Sequence, residues 1–122
     1  MPKVLSQKQR LTKMRKWLMK HFPIRYKVRI VLAPPDKMED CLGQWYLSDD
    51  EESGVIKLAN NLSNDTLVDT LLEEWAHART EGLEDVDGRE DPYHHATFWS
   101  ELGRITAAYR ENPVRAERPA KK

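Results

Sequence analysis

Leu71-Leu72-Glu73-Glu74-Trp75-Ala76-His77-Ala78 sets two carboxylates and an imidazole into an otherwise apolar stretch. On an α-helix, residues four apart project from one face, one turn apart, so Glu73 and His77 point the same way. Glu74 follows Glu73 by about 100° around the axis. Two ligands at i and i+4, with a glutamate directly after the first, are how a helix binds a divalent metal and offers a general base to the water the metal holds. The usual first ligand is His, and here it is Glu73. A carboxylate oxygen binds Zn²⁺ at about 2.0–2.2 Å, so the exchange is chemically sound. It adds negative charge, which makes the metal a weaker Lewis acid and raises the pKa of its water.

The residues around this stretch predict a helix with flanking strands. Ser63 or Asn64 can cap it, Leu67, Val68, Leu71, Leu72 and Trp75 form one apolar stripe, and Gly82 supplies a stop. Upstream, Val28, Ile30 and Leu32 alternate with Lys27, Arg29 and Val31, which predicts a strand over Tyr26 to Leu32 closed by Pro34-Pro35. Leu42 to Leu47 and Val55 to Ala59 are two further strands around a polar hairpin loop, Ser48 to Gly54. At the start, Ser6 and Gln9 have the form of a capping box. Leu11, Met14, Leu18 and Phe22 then recur at helical spacing up to Pro23. Downstream, Glu81 to Asp91 reads as an acidic loop. Asp91-Pro92 opens a last helix, with Phe98, Leu102, Ile105 and Tyr109 continuing to about Glu111. The order of helix, three strands and two helices predicts an α+β fold, with residues 1–112 as one domain and 113–122 as a polar tail.

A metal site needs a further ligand. Cys41 is the only cysteine, which excludes a zinc ribbon and an internal disulfide and leaves His and carboxylates as donors. Cys41 reads as a small semi-buried hydrophobe. His21 lies at the end of the basic helix, a surface position. His94 and His95 open the last helix, and a long loop lets that helix fold back across the first. Spacing alone does not choose between them.

The run Leu71 to Ala78 resembles the Leu-Leu-His-Glu-x-x-His-Ala helix of the SprT-like metallopeptidases, zincins with short bacterial and phage members. His94-His95-Ala96-Thr97-Phe98-Trp99 is similar to that family's His-x-x-x-Phe-Trp segment. Leu42-Gly43 and Ile56-Lys57-Leu58-Ala59-Asn60 are similar to its short strand segments, so the likeness spans roughly Tyr26 to Tyr109. The resemblance implies a zincin-like single domain and a zinc-dependent endopeptidase acting on DNA-associated proteins. In it Glu73, His77 and His94 hold the metal, and Glu74 is the catalytic base. Two departures stand out: Glu73 replaces the first ligand His, and the family's frequent C-terminal zinc ribbon has no cysteines to build it. A catalytically impaired zincin scaffold that binds nucleic acid or protein is therefore the alternative function.

Charge distribution bears on partners. The 122 residues are 33% charged and 39% hydrophobic with no net charge. Residues 1–29 nevertheless hold ten Lys/Arg and no acid, while residues 36–91 hold seventeen Asp/Glu against four Lys/Arg. The basic first helix, through Lys8, Arg10, Lys13, Arg15, Lys16 and Lys20, is the candidate for phosphate contact, with a solvated face opposing the acidic middle as the plain alternative. No run approaches the ~20 apolar residues of a membrane span, nor is there the apolar stretch of a secretory signal, so the expectation is a cytoplasmic protein without membrane contact. Trp75 and Trp99 lie on apolar stripes and are expected in the core, while Trp17 beside the basic face could stack on a base. Glu74-x-x-His77 also has the ligand spacing of di-iron helical bundles, which the three strands oppose. Asp85-Val86-Asp87-Gly88 lacks the full pattern of a calcium loop.

Overall fold

A computed structural model describes residues 5–82 and 96–111. Helix α1 spans Gln7–His21, strands β1, β2 and β3 span Lys27–Ala33, Gly43–Leu47 and Ser53–Ala59, and helices α2 and α3 span Asn64–Arg79 and Ala96–Glu111. A short 3₁₀ turn, Pro35–Lys37, follows the two prolines. The fold is α+β, as the order of elements predicts.

Local chemistry explains the helix starts. The Ser6 hydroxyl accepts from the Gln9 N–H at 3.1 Å, and the Gln9 side chain accepts from the Ser6 N–H at 2.9 Å. This reciprocal pair satisfies two donors that the first turn leaves open. Ser63 caps α2 by accepting from the Thr66 N–H at 3.3 Å. That helix ends at Thr80, whose hydroxyl donates to the Ala76 carbonyl at 2.9 Å. Gly82 lies just beyond, at a φ of 82°, in the left-handed region that glycine enters without strain.

Strand order is β1-β3-β2, with β1 parallel and β2 antiparallel to the central β3. The alternation puts Val28, Ile56 and Leu58 into the core, with Ile30, Leu32, Trp45 and Leu47 packed against it. Strand β3 starts at Ser53, two residues earlier than the pattern predicts, so Gly54 belongs to the sheet rather than the loop. A Cβ at Gly54 would lie 2.1 Å from the Trp45 indole. Only a bare backbone lets that ring cross the strand.

Helices cover the apolar face. Leu11, Met14 and Leu18 of α1, Leu67, Leu71, Leu72 and Trp75 of α2, and Phe98, Ile105 and Tyr109 of α3 form one core with the sheet. The fully buried Trp75 indole donates to the Phe22 carbonyl at 2.8 Å, so its polar edge is satisfied. Two expectations need correction. Trp99 is 52% exposed, because Phe98, about 100° away on the helix, takes the inward place. Arg10 is buried: it lies four residues before Met14 and shares that residue's inward face. Trp17 packs edge-on against Tyr109 at 5.4 Å and beside Phe22, which places it at the margin of the core. Among the described residues no helix is long and apolar enough to cross a membrane.

Candidate metal centre

Helix α2 brings Glu73, Glu74 and His77 together as the pattern predicts. One ligand atom from each lies within 4.8 Å of the others. The backbone is helical because the Ser63 cap and the Leu67/Leu71/Trp75 stripe fix it, so the register of the three groups follows from core packing.

The three are placed differently. Glu73 and His77 are half-buried, and Glu74 is 6% exposed. No hydrogen bond reaches the Glu74 carboxyl from the described residues. Burial, with the neighbouring Glu73 charge adding to it, raises its pKa from the usual 4.5 to about 7. The His77 ring stacks on Phe98 of α3, with centroids 4.2 Å apart and planes at 22°, so an aromatic wall fixes the imidazole on one side.

Strand β2 forms the other wall. A Cβ on Gly43 would lie 2.6 Å from the Thr70 methyl and 3.1 Å from the Glu74 Cγ. The glycine lets the strand backbone come down against α2 at the position of the buried acid. The sequence pattern gave no reason to expect this role for Gly43; the signal was a glycine next to an apolar residue at a strand start. The Ala59 N–H donates to the Leu42 carbonyl at 3.0 Å. In the antiparallel register the backbone groups of Gly43, Trp45 and Leu47 then face outward, away from β3. Leu42, which precedes Gly43, and Trp99, which follows Phe98, are both exposed apolar residues. Cys41 is half-buried and donates to the Met38 carbonyl at 2.7 Å. Burial, and secondarily the Glu74 charge, push its thiol pKa up.

The donors present suit a divalent cation in part. A carboxylate and an imidazole at i and i+4 supply two ligands, and structural precedent for catalytic zinc asks for three from the protein. His94 and His95, with the acidic loop beyond Gly82, the Asp91-Pro92 helix start and Asp85 to Gly88, lie outside the described residues. Of the remaining predicted elements, His21 is exposed at the end of α1 and packs at a tilt against Trp17, centroids 4.9 Å apart. It is not part of the cluster. Searches against protein-family models, curated proteins and solved structures returned no match to this chain.

Proposed function

We propose that the chain is a zincin-like, SprT-like metal-dependent endopeptidase in which Glu73, His77 and His94 hold Zn²⁺ and Glu74 is the general base. The observation that most supports this is the grouping of Glu73, Glu74 and His77 on one turn of α2, beside the outward edge of β2. The metal's contribution would be Lewis-acid polarisation of the scissile carbonyl and of the attacking water. The chain's own groups do the rest. Glu74 takes a proton from the water and delivers it to the leaving amine. A carboxyl with a pKa of about 7 can both accept and release that proton near neutral pH. The outward N–H and C=O groups of Gly43, Trp45 and Leu47 would pair with an extended substrate. That would lay its carbonyl across Glu74, while Phe98 keeps the His77 ring in one orientation.

Glu73 also has a cost for this chemistry. Its charge helps raise the Glu74 pKa and would reduce the polarising power of the metal. A catalytically weakened scaffold that binds nucleic acid is the second reading, supported by the exposed Lys8, Lys13, Lys16 and Lys20 on α1. Buried Arg10 takes no part in such a face, and Arg15 is engaged by the Val28 carbonyl at 3.0 Å. The test is elemental analysis of the purified protein, with cleavage of an unfolded protein substrate by wild type and Glu74→Gln. Stoichiometric zinc and a drop of about 10²–10⁴-fold in the variant are expected. A metal-free, inert protein would overturn the enzyme reading, and salt-sensitive DNA binding weakened by charge reversal at Lys13 and Lys16 would favour the second.

A further inference from the structure

Among the described residues the sheet has a second unpaired edge, on the far side from the candidate metal centre. The Lys27 N–H donates to the Glu52 carbonyl at 3.0 Å, and the Asn60 N–H donates to the Ala33 carbonyl at 2.8 Å. With Lys27 opposite Ser53 in a parallel ladder, these bonds set the phase of β1. Lys27, Arg29, Val31 and Ala33 turn their backbone groups toward β3, while Val28, Ile30 and Leu32 turn theirs away. The Val28 carbonyl is taken by Arg15. The outward N–H and C=O of Ile30 and Leu32 accept and donate no hydrogen bond among the described residues.

A groove of about 660 Å³ runs along this row between β1 and α1. Leu11, Ile30 and Leu32 give it apolar surface. Among the described residues its charged lining is Lys8, Arg15 and Arg29, with no acidic residue. We propose that this edge takes an extended acidic peptide as an added strand, independently of what the metal centre does. The alternation of donors and acceptors decides the class of partner. A peptide strand answers both the N–H and the C=O groups of Ile30 and Leu32. A phosphate backbone offers acceptors alone and would leave both carbonyls unpaired and desolvated. A second copy of the chain pairing through the same edge would bring Lys8, Arg15 and Arg29 against their like, which disfavours that occupant.

The pleat also sets the peptide's pattern. Side chains of an added strand alternate between faces. On the core side they meet Leu11, Ile30 and Leu32, which suits apolar residues; on the opposite side they lie beside Arg29, which suits Glu or Asp.

The probe is a synthetic peptide of about eight residues alternating Glu and Val, a length matching β1, with a Lys/Val peptide as its counterpart. Backbone NMR is the readout. The Glu/Val peptide is expected to slow amide exchange at Ile30 and Leu32 by at least about tenfold, leaving Arg29 and Val31, already in the ladder, unchanged. Binding should weaken with salt, and Arg29→Glu should lower it about tenfold and favour the Lys/Val peptide. Ile30→Pro removes the outward N–H without touching a bond to β3 and should abolish binding. If that variant fails to fold, the exposed Arg29→Glu decides alone. Absence of protection at Ile30 and Leu32 with roughly millimolar peptide would overturn the proposal. Protection of the same amides by an oligothymidylate, or by raising the protein concentration without peptide, would overturn it in favour of nucleic acid or of self-pairing.

Discussion

Glu74 on α2 and Glu101 on α3 are both largely withdrawn from water, at 6% exposure for the first and 13% for the side chain of the second. Their electrostatics differ in sign. Burial would raise the Glu101 pKa, but hydrogen bonds from Arg104 and Arg79 outweigh it and bring the carboxyl below its usual range. Among the described residues Glu74 has only desolvation and the like charge of Glu73, and its pKa rises to about 7. One end of the helix pair is therefore built to hold a charge, and the middle of α2 is built to resist one. A fold gains nothing from a bare buried carboxyl; a site that handles protons near neutral pH does.

The sharpest way to break this comparison is through pH, in the presence of a chelator. Glu74 binds protons more tightly in the folded chain than in the unfolded one, where its pKa is near 4.5. Its contribution to stability is therefore fully present below about pH 4.5 and is lost as the pH rises through about 7. The shift corresponds to on the order of 3 kcal/mol. Glu74→Gln, which cannot ionise, should match wild type near about pH 3.5 and exceed it by up to about 3 kcal/mol at about pH 8, in urea unfolding. A difference that stays constant with pH would show that the carboxyl is not desolvated in this way.

Gly43→Ala tests whether β2 lies as close to Glu74 as the strand backbone indicates. The added methyl meets the Thr70 methyl at 2.6 Å and the Glu74 Cγ at 3.1 Å. Overpacking of this kind costs about 1–3 kcal/mol. Thr70→Ser removes the closest atom, so the double variant should recover part of the loss in the same unfolding experiment. Losses that simply add would place the strand farther from α2.

What the sequence revealed about these regions follows the range of the forces involved. The α2 register, the Ser6/Gln9 capping box and the inward phase of β1 depend on neighbours within one or two turns or strand repeats, and all are readable from local pattern. So is the Glu73/Glu74/His77 grouping, which needs only a helix. The strand order was not readable: nothing local says that β3 lies between β1 and β2, that Gly43 is a contact point within its strand, or that Gly54 belongs to the sheet rather than the loop. Arg10 was misjudged because charge alone argued for solvent, while its i+4 relation to Met14 turned it inward. Trp99 erred the other way, since hydrophobicity alone argued for the core and Phe98 already held that place.

The smallest effects are expected at the charged end. Glu101 accepts from Arg104 at 3.0 Å and pairs with Arg79, which also donates to the Pro23 carbonyl. Glu101→Gln should cost about 1.5 kcal/mol at neutral pH, the low end of the worth of a hydrogen bond to a charged partner. Because the folded pKa is lowered, that contribution is present above the unfolded pKa and is lost as the pH falls through the folded one. Glu101→Gln should therefore approach wild type in acid, the opposite direction to Glu74→Gln, which approaches it there from above. The two arginines then rank by burial. The Arg79 side chain is 22% exposed and ties α2 to both α3 and Pro23, whereas Arg104 is 61% exposed and sits one turn from its partner. Arg79→Gln should lower the midpoint of thermal unfolding measurably and Arg104→Gln much less, since water screens the second pair and the same helix already holds its partner. Equal losses would mean that Glu101 is held by the local helix turn and not by the junction between α2 and α3.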